Sequence, residues 1–184
     1  PEVGRAAIDF LCSSSGDKDH LEADFFGGEP LLNKELLFEL VLYGEEKAAS
    51  LGKKIHFTLT TNTLELNREI LEFLRRHQMG LVLSLDGRET VNDRMRGKGS
   101  YQRIIPRILE VVRDFPEINY YVRGTYTRYN LDFSEDVKHF YDLGMRSISV
   151  EPVVCNPKLP YSIREEDLPQ IYEEYDRLAV FFLE

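Results

Sequence analysis

The 184-residue sequence predicts an α/β protein whose parallel strands line a wide or incomplete barrel. Three observations predict it. Strand-like and helix-like segments alternate along the chain, an order that gives parallel strands joined by right-handed helical crossovers. The strand–helix unit recurs about every 30 residues, the repeat of such a fold and not of a solenoid. Each strand also has one polar face, and the polarity sharpens toward its C-terminal end. An open doubly wound sheet buries both faces, so its central strands read as continuous apolar runs. A fully closed barrel fills its interior with branched apolar side chains, whereas a polar interior suits a wider or incomplete barrel that holds a ligand.

The elements follow in order. "PEVGRAAIDFL" reads as a helix already under way, and "LEADFF" (21–26) as a strand. Asn33 caps a helix running to about Leu51, with Leu36, Leu37, Leu40 and Val41 on one face and Gly52 as its stop. "IHFTLTT" (55–61) is the next strand, with Phe57, Leu59 and Thr61 on one face and Thr58, Thr60 and Asn62 on the other. Asn67 caps a helix carrying Ile70, Leu71, Phe73 and Leu74, which Gly80 is expected to stop. In "LVLSLD" (81–86) the leucines alternate with Val82, Ser84 and Asp86. A polar, glycine-bearing loop then leads to a helix from about Ser100, with Ile104, Ile105, Ile108, Leu109 and Val112. "NYYVRGTYT" (119–127) is a strand with Arg123, Thr125 and Thr127 on one face. Asp132 and Glu135 form an expected capping box for a helix with Val137, Phe140 and Tyr141, stopped by Gly144 in the left-handed region. "SISVEP" (147–152) sets Ser147, Ser149 and Glu151 on one face. The last helix carries Pro169, which is tolerated only in its first turn.

The totals bound the function. A formal net charge of −9 argues against a nucleic-acid partner, whose binding depends on neutralising phosphates. No apolar run approaches the roughly 20 residues needed to span a bilayer, so no membrane partner is expected. Cys12 and Cys155 lie far apart and make neither a disulfide framework nor a metal motif; Cys12 reads as core and Cys155 as a loop thiol near a strand end. His20, His56, His77 and His139 lack metal-ligand spacing. The expectation is one cytoplasmic globular domain over residues 1–184. Neither end tapers into a polar tail, so it is also expected to be a piece of a longer chain.

Candidate chemistry sits at the strand ends. Gly27-Gly28-Glu29-Pro30 allows close backbone approach, and Glu29 is either a solvated turn charge or an acceptor for an ammonium. Thr60, Thr61 and Asn62 are an ordinary polar strand end or a pocket wall. Ser84, Asp86 and Gly87 are a turn or a site. Arg123, inside a strand, needs a carboxylate or an anion, and one of the strand-end acids could supply it. In the charged loop, Arg94 and Arg96 are candidates for a carboxylate or phosphate clamp beside a merely solvated charge run.

Taken in sequence, "DFFGGEPLLN", "LTTN", "LSLDGRETVNDRMR", "YYVRGTYT" and "SVEPVV" resemble a radical S-adenosylmethionine (radical SAM) enzyme of the subgroup carrying a SPASM-type C-terminal domain. "DRMRGKGSY" and "YYVRGTYTRYNLDFS" are most similar to the maturases of six-cysteine SCIFF peptides, with the anaerobic sulfatase-maturing enzymes less near. The resemblance implies a partial TIM-like (β/α)6 barrel, here without its first strand. It implies that Gly27, Gly28, Glu29 and Pro30 hold the methionine ammonium of S-adenosylmethionine. It places Asn62 and Ser84 along the cofactor pocket, Arg96 or Arg123 at the cofactor carboxylate, and Glu151 near the adenosyl part. Asp86 either orders its loop or, with Thr125, faces the substrate. The chemistry implied is reductive cleavage of S-adenosylmethionine to a deoxyadenosyl radical that abstracts hydrogen from a cysteine-rich precursor peptide, forming thioether links. A reductant protein is the second implied partner. The family's CxxxCxxC loop for its 4Fe–4S cluster is expected upstream of this chain, and auxiliary 4Fe–4S clusters in a C-terminal domain downstream. This segment alone is therefore expected to be inactive. The family usually continues Asn-Gly where this sequence has Asn62-Thr63, so a changed turn is expected there. The alternatives are a degenerate barrel that only binds a cofactor or peptide, an anaerobic sulfatase-maturing-type radical SAM enzyme, and an aldolase- or isomerase-type barrel, which would want a Schiff-base lysine or metal ligands at strand ends.

Overall fold

The structure, a computed structural model, describes residues 1–183. The fold is α/β. Helix α1 (Glu2–Ser14) precedes strand β1 (His20–Phe25), and a short 3-10 turn (Pro30–Asn33) leads into α2 (Lys34–Ser50). Then come β2 (Lys54–Thr61), α3 (Arg68–Arg76), β3 (Gly80–Ser84), α4 (Glu89–Arg96), α5 (Ser100–Asp114), β4 (Tyr120–Tyr126), α6 (Phe133–Asp142) and β5 (Ile148–Pro152). A second 3-10 turn (Glu165–Asp167) opens α7 (Leu168–Leu183). The five strands follow one another in the sheet, β1-β2-β3-β4-β5. A sequential order without a switch point is that of a barrel wall, and β1/β2 and β4/β5 run parallel, as the predicted partial barrel requires.

The chain divides into two compact units. In the first (Pro1–Val82 with Arg113–Tyr120), β1 pairs with β2 in a register that sets Phe25 opposite Leu59. Its core takes Ile8 and Cys12 from α1, Leu37, Leu40 and Val41 from α2, Phe57 and Leu59 from β2, and Ile70, Leu71 and Leu74 from α3. Gly44 of α2 lets that helix sit down on the strand: a Cβ there would meet the Phe57 ring at 2.5 Å. Asn67 caps α3 as predicted, its side chain accepting the Ile70 N–H at 3.1 Å. In the second unit (Leu83–Val112 with Tyr121–Glu184), Tyr126 stacks on Phe133 at 4.1 Å between centroids and Ile171 of α7 closes over them. Gly124 is needed because a Cβ would meet the Leu85 carbonyl oxygen at 2.9 Å.

Three local expectations are corrected. The predicted polar loop after β3 contains α4. Gly80 does not stop α3: Gln78 turns the chain at φ 51°, and Gly80 opens β3, where a Cβ would meet Thr58 Oγ1 at 2.9 Å. Asp132 does not cap α6 with its side chain, which binds Arg88 instead. Ser84 ends β3 half-buried and Asp86 beyond it is buried, so the polar side of this strand is polar in residue type but little exposed. Thr63, where a different turn was expected, takes φ 69° and is fully buried.

Candidate functional site

The strand ends gather the predicted polar residues into two clusters, one in each unit. In the first unit, β1 stops at Phe25 and the chain turns through Gly27 at φ 131°, a conformation essentially closed to L side chains. Neither positive φ nor crowding by protein atoms demands glycine at Gly28. Pro30, lacking an N–H, opens the 3-10 turn where none is needed. Glu29 precedes it in extended geometry, and its carboxylate is folded back onto the end of β2.

That carboxylate accepts three hydrogen bonds. Oε1 takes the Leu31 N–H at 3.1 Å and the Thr61 hydroxyl at 2.8 Å; Oε2 takes the Asn62 N–H at 2.7 Å. A carboxylate has about four acceptor positions, so one remains, on Oε2. The Thr61 hydroxyl, itself buried, accepts the Thr63 N–H at 3.0 Å. Asn62 turns its own side chain onto the Leu64 N–H at 2.9 Å. Glu29 is thus neither a freely solvated turn charge nor an empty hook. It ties β1 to β2 and keeps one lone pair free.

In the second unit, Asp86 follows β3 and is 5% exposed. Arg96, at the end of α4, grips it bidentately, Nε at 2.8 Å and Nη2 at 2.9 Å, and the Thr125 N–H approaches it at 3.3 Å. The Asp86 N–H donates to buried Asn92, whose amide donates to Ser100 at the start of α5. Arg123 of β4 donates through Nη2 to Glu151 of β5 at 2.6 Å, with both side chains partly solvated. Thr125 is the register neighbour of Glu151, and Ser84 ends β3 half-buried.

A further polar lock escaped the sequence reading. Buried Asp136 of α6 accepts the backbone N–H and Nε of Arg88 at 2.9 and 2.8 Å and the Asn130 amide at 3.1 Å. Asp132 accepts Arg88 Nη2 at 2.7 Å. Burial opposes the Arg88 charge, but the hydrogen bonds to Asp132 and Asp136 outweigh it and hold its pKa above the ordinary guanidinium value. Gly87 explains itself here, since a Cβ would meet the Asp136 carboxyl at 2.6 Å. The only signal in the sequence was that glycine next to an arginine. The Arg94 guanidinium sits over the Tyr129 ring, 3.4 Å from its centre.

Cys12 is buried in α1 and Cys155 half-exposed after β5. Among the described residues no group of three or more His, Cys, Asp or Glu side chains is placed to hold a metal ion. These residues therefore do not fit an iron–sulfur cluster. They do fit an ammonium, through the acceptor position left on Glu29. No helix among the described residues is long and apolar enough to cross a membrane.

The family profile described as Radical SAM superfamily matches residues 18–143. An uncharacterized protein of Methanocaldococcus jannaschii is 27% identical over 96% of this chain and 59% of its own length. One of Methanothermobacter thermautotrophicus is 27% identical over 87% of the chain, again over 59% of its own length. The chain thus spans about three-fifths of the curated relatives it matches. Among solved structures, native anSMEcpe with bound AdoMet and Kp18Cys peptide shares the fold at TM-score 0.84 and 18% identity, over 99% of this chain and 52% of that one. SuiB of Streptococcus suis bound to S-adenosylmethionine does so at TM-score 0.68 and 16% identity, over 98% and 40%.

Proposed function

Because the chain belongs to the Radical SAM superfamily, we propose that it is the catalytic-barrel part of a radical SAM peptide or protein maturase that forms thioether links in a cysteine-rich precursor peptide. The observation that carries the reading is the Glu29 carboxylate, fixed by Leu31, Thr61 and Asn62 with one acceptor position in hand. When bound, S-adenosylmethionine supplies a hydrogen-abstracting radical on reductive cleavage. The residues of this chain hold and orient it. Glu29 offers Oε2 to the methionine ammonium, a charge-assisted hydrogen bond. Gly28, which has no internal reason to be glycine, leaves the approach open. Asn62, Ser84 and Glu151 keep their proposed places along the cofactor, and Thr125 its place toward substrate. For the cofactor carboxylate the geometry favours Arg123 over Arg96. Arg96 spends Nε and Nη2 on Asp86, whereas Arg123 gives a single nitrogen to Glu151. Asp86 then orders its loop.

The choice of a peptide substrate is supported by the likeness of "DRMRGKGSY" and "YYVRGTYTRYNLDFS" to peptide maturases, and by the fold shared with a protein solved with AdoMet and a peptide. Cluster ligands, auxiliary clusters and the docking of a reductant protein are assigned to parts of the full-length protein outside this chain. The second reading is a barrel that binds but does not react; it requires that the full-length protein also lack the metal-ligand set that the described residues do not supply.

One experiment separates them. Full-length protein is reconstituted anaerobically with iron and sulfide, then given dithionite, S-adenosylmethionine and the precursor peptide. The maturase yields deoxyadenosine, and the peptide loses two hydrogens per link by mass spectrometry. Binding of S-adenosylmethionine without deoxyadenosine would establish the binding barrel instead. Deoxyadenosine with an unchanged peptide would remove the thioether assignment.

A further inference from the structure

The buried hydroxyl of Thr61 has no freedom. It accepts the Thr63 N–H at 3.0 Å, and it faces a carboxylate oxygen at 2.8 Å that can only accept. Its proton is therefore committed to Glu29 Oε1. The chain Thr63 N–H to Thr61 Oγ to Glu29 Oε1 has one direction. Beside it the Asn62 N–H holds Oε2 at 2.7 Å. Three consecutive residues at the end of β2 thus fix the rotation of one carboxylate, and Thr63 reaches this arrangement at φ 69°. A side chain rarely tolerates that conformation, and such strain persists only where the surroundings enforce it.

We propose that Thr61 is the positioning residue for Glu29: its hydroxyl sets the plane of the carboxylate, so that the one free acceptor direction, on Oε2, meets a ligand's primary ammonium. This rests on the reading that Glu29 binds an ammonium, and adds which group aims it. The specificity follows from the atoms. Oε1 is filled by two donors and Oε2 by one, so the position admits a donor and rejects an acceptor. Without the hydroxyl, Oε1 keeps only the Leu31 N–H and Oε2 the Asn62 N–H, the Thr63 N–H loses its acceptor, and the carboxylate is held less firmly in its plane.

The test is calorimetry on the full-length, anaerobically reconstituted protein with three ligands. S-adenosylmethionine and S-adenosylhomocysteine carry the ammonium; methylthioadenosine lacks it. Thr61→Val is expected to weaken the first two about tenfold, the scale of one charge-assisted hydrogen bond, and to leave methylthioadenosine unchanged. Thr61→Ser, which keeps the hydroxyl, restores wild-type binding of all three. Glu29→Ala must weaken the same two ligands. If it does and Thr61→Val does not, the positioning role is overturned and the ammonium reading stands. If Glu29→Ala has no effect, the ammonium reading falls with it. Equal weakening of all three ligands by Thr61→Val would make Thr61 merely structural and overturn the proposal. Should the valine variant not fold, Thr61→Ser carries the test, and loss of affinity there overturns it.

Discussion

A carboxylate that accepts from donors on both oxygens cannot be exchanged for an amide without leaving one donor facing another. Glu29 is in that position, between the Leu31 N–H and Thr61 hydroxyl on one side and the Asn62 N–H on the other. Glu29→Gln is therefore expected to lower stability by about 1–3 kcal/mol, the cost of one buried unpaired donor, as well as weakening ligand binding. Urea unfolding with an unchanged midpoint would show the contacts to be dispensable. Glu29 itself was legible, because glycines, an acid and a proline at a strand end have few uses. Its partners were not. Residue 29 meets residue 61 only through the register of β1 on β2, which no local pattern encodes. Thr63 was misjudged for a related reason. Propensity sets about 1–2 kcal/mol against a left-handed residue, yet here the buried surroundings hold it in place, with its own hydroxyl unpartnered.

Helix α4 shows where periodicity fails as a signal. "ETVNDRMR" has no apolar stripe, and its links are polar: Asn92 to the Asp86 N–H and Ser100, Arg96 to Asp86, and Asp93 to the start of α5. Asp93 accepts the Tyr101 N–H at 2.9 Å, the Gly99 N–H at 2.5 Å and the Ser100 hydroxyl at 3.2 Å, and the hydrogen bonds to Tyr101 and Gly99 hold its pKa below the usual aspartate value. A depressed folded-state pKa stabilises above the unfolded value, about 3.9, and the contribution disappears as pH falls through the folded value. The stability gap between wild type and Asp93→Asn is thus expected to be full at neutral pH and to close below about pH 4. Thermal unfolding across that range checks it, and a constant gap would refute it. The helices with apolar faces, α2, α3 and α5, were legible for the opposite reason: their stripes are what the core buries. Asp86, just past the end of β3, shows the other side of this: a charged residue that is buried because it is paired.

For the molecule as a whole, the alternation of elements and the polar strand ends were enough to predict the fold class, and the order of the strands agrees with it. What alternation cannot carry is a metal site, which needs several ligands brought to one point. No such set exists among the described residues, so the 184-residue chain alone, treated with iron and sulfide, is expected to retain no stoichiometric iron, whereas the full-length protein should. Metal analysis after desalting decides this, and stoichiometric iron in the isolated chain would contradict it. The sequential strand order has one more consequence, for synthesis. As the chain leaves the ribosome N-terminus first, every strand after β1 finds its neighbour already made. The sheet can then grow one strand at a time, without waiting for a distant partner to close a long loop.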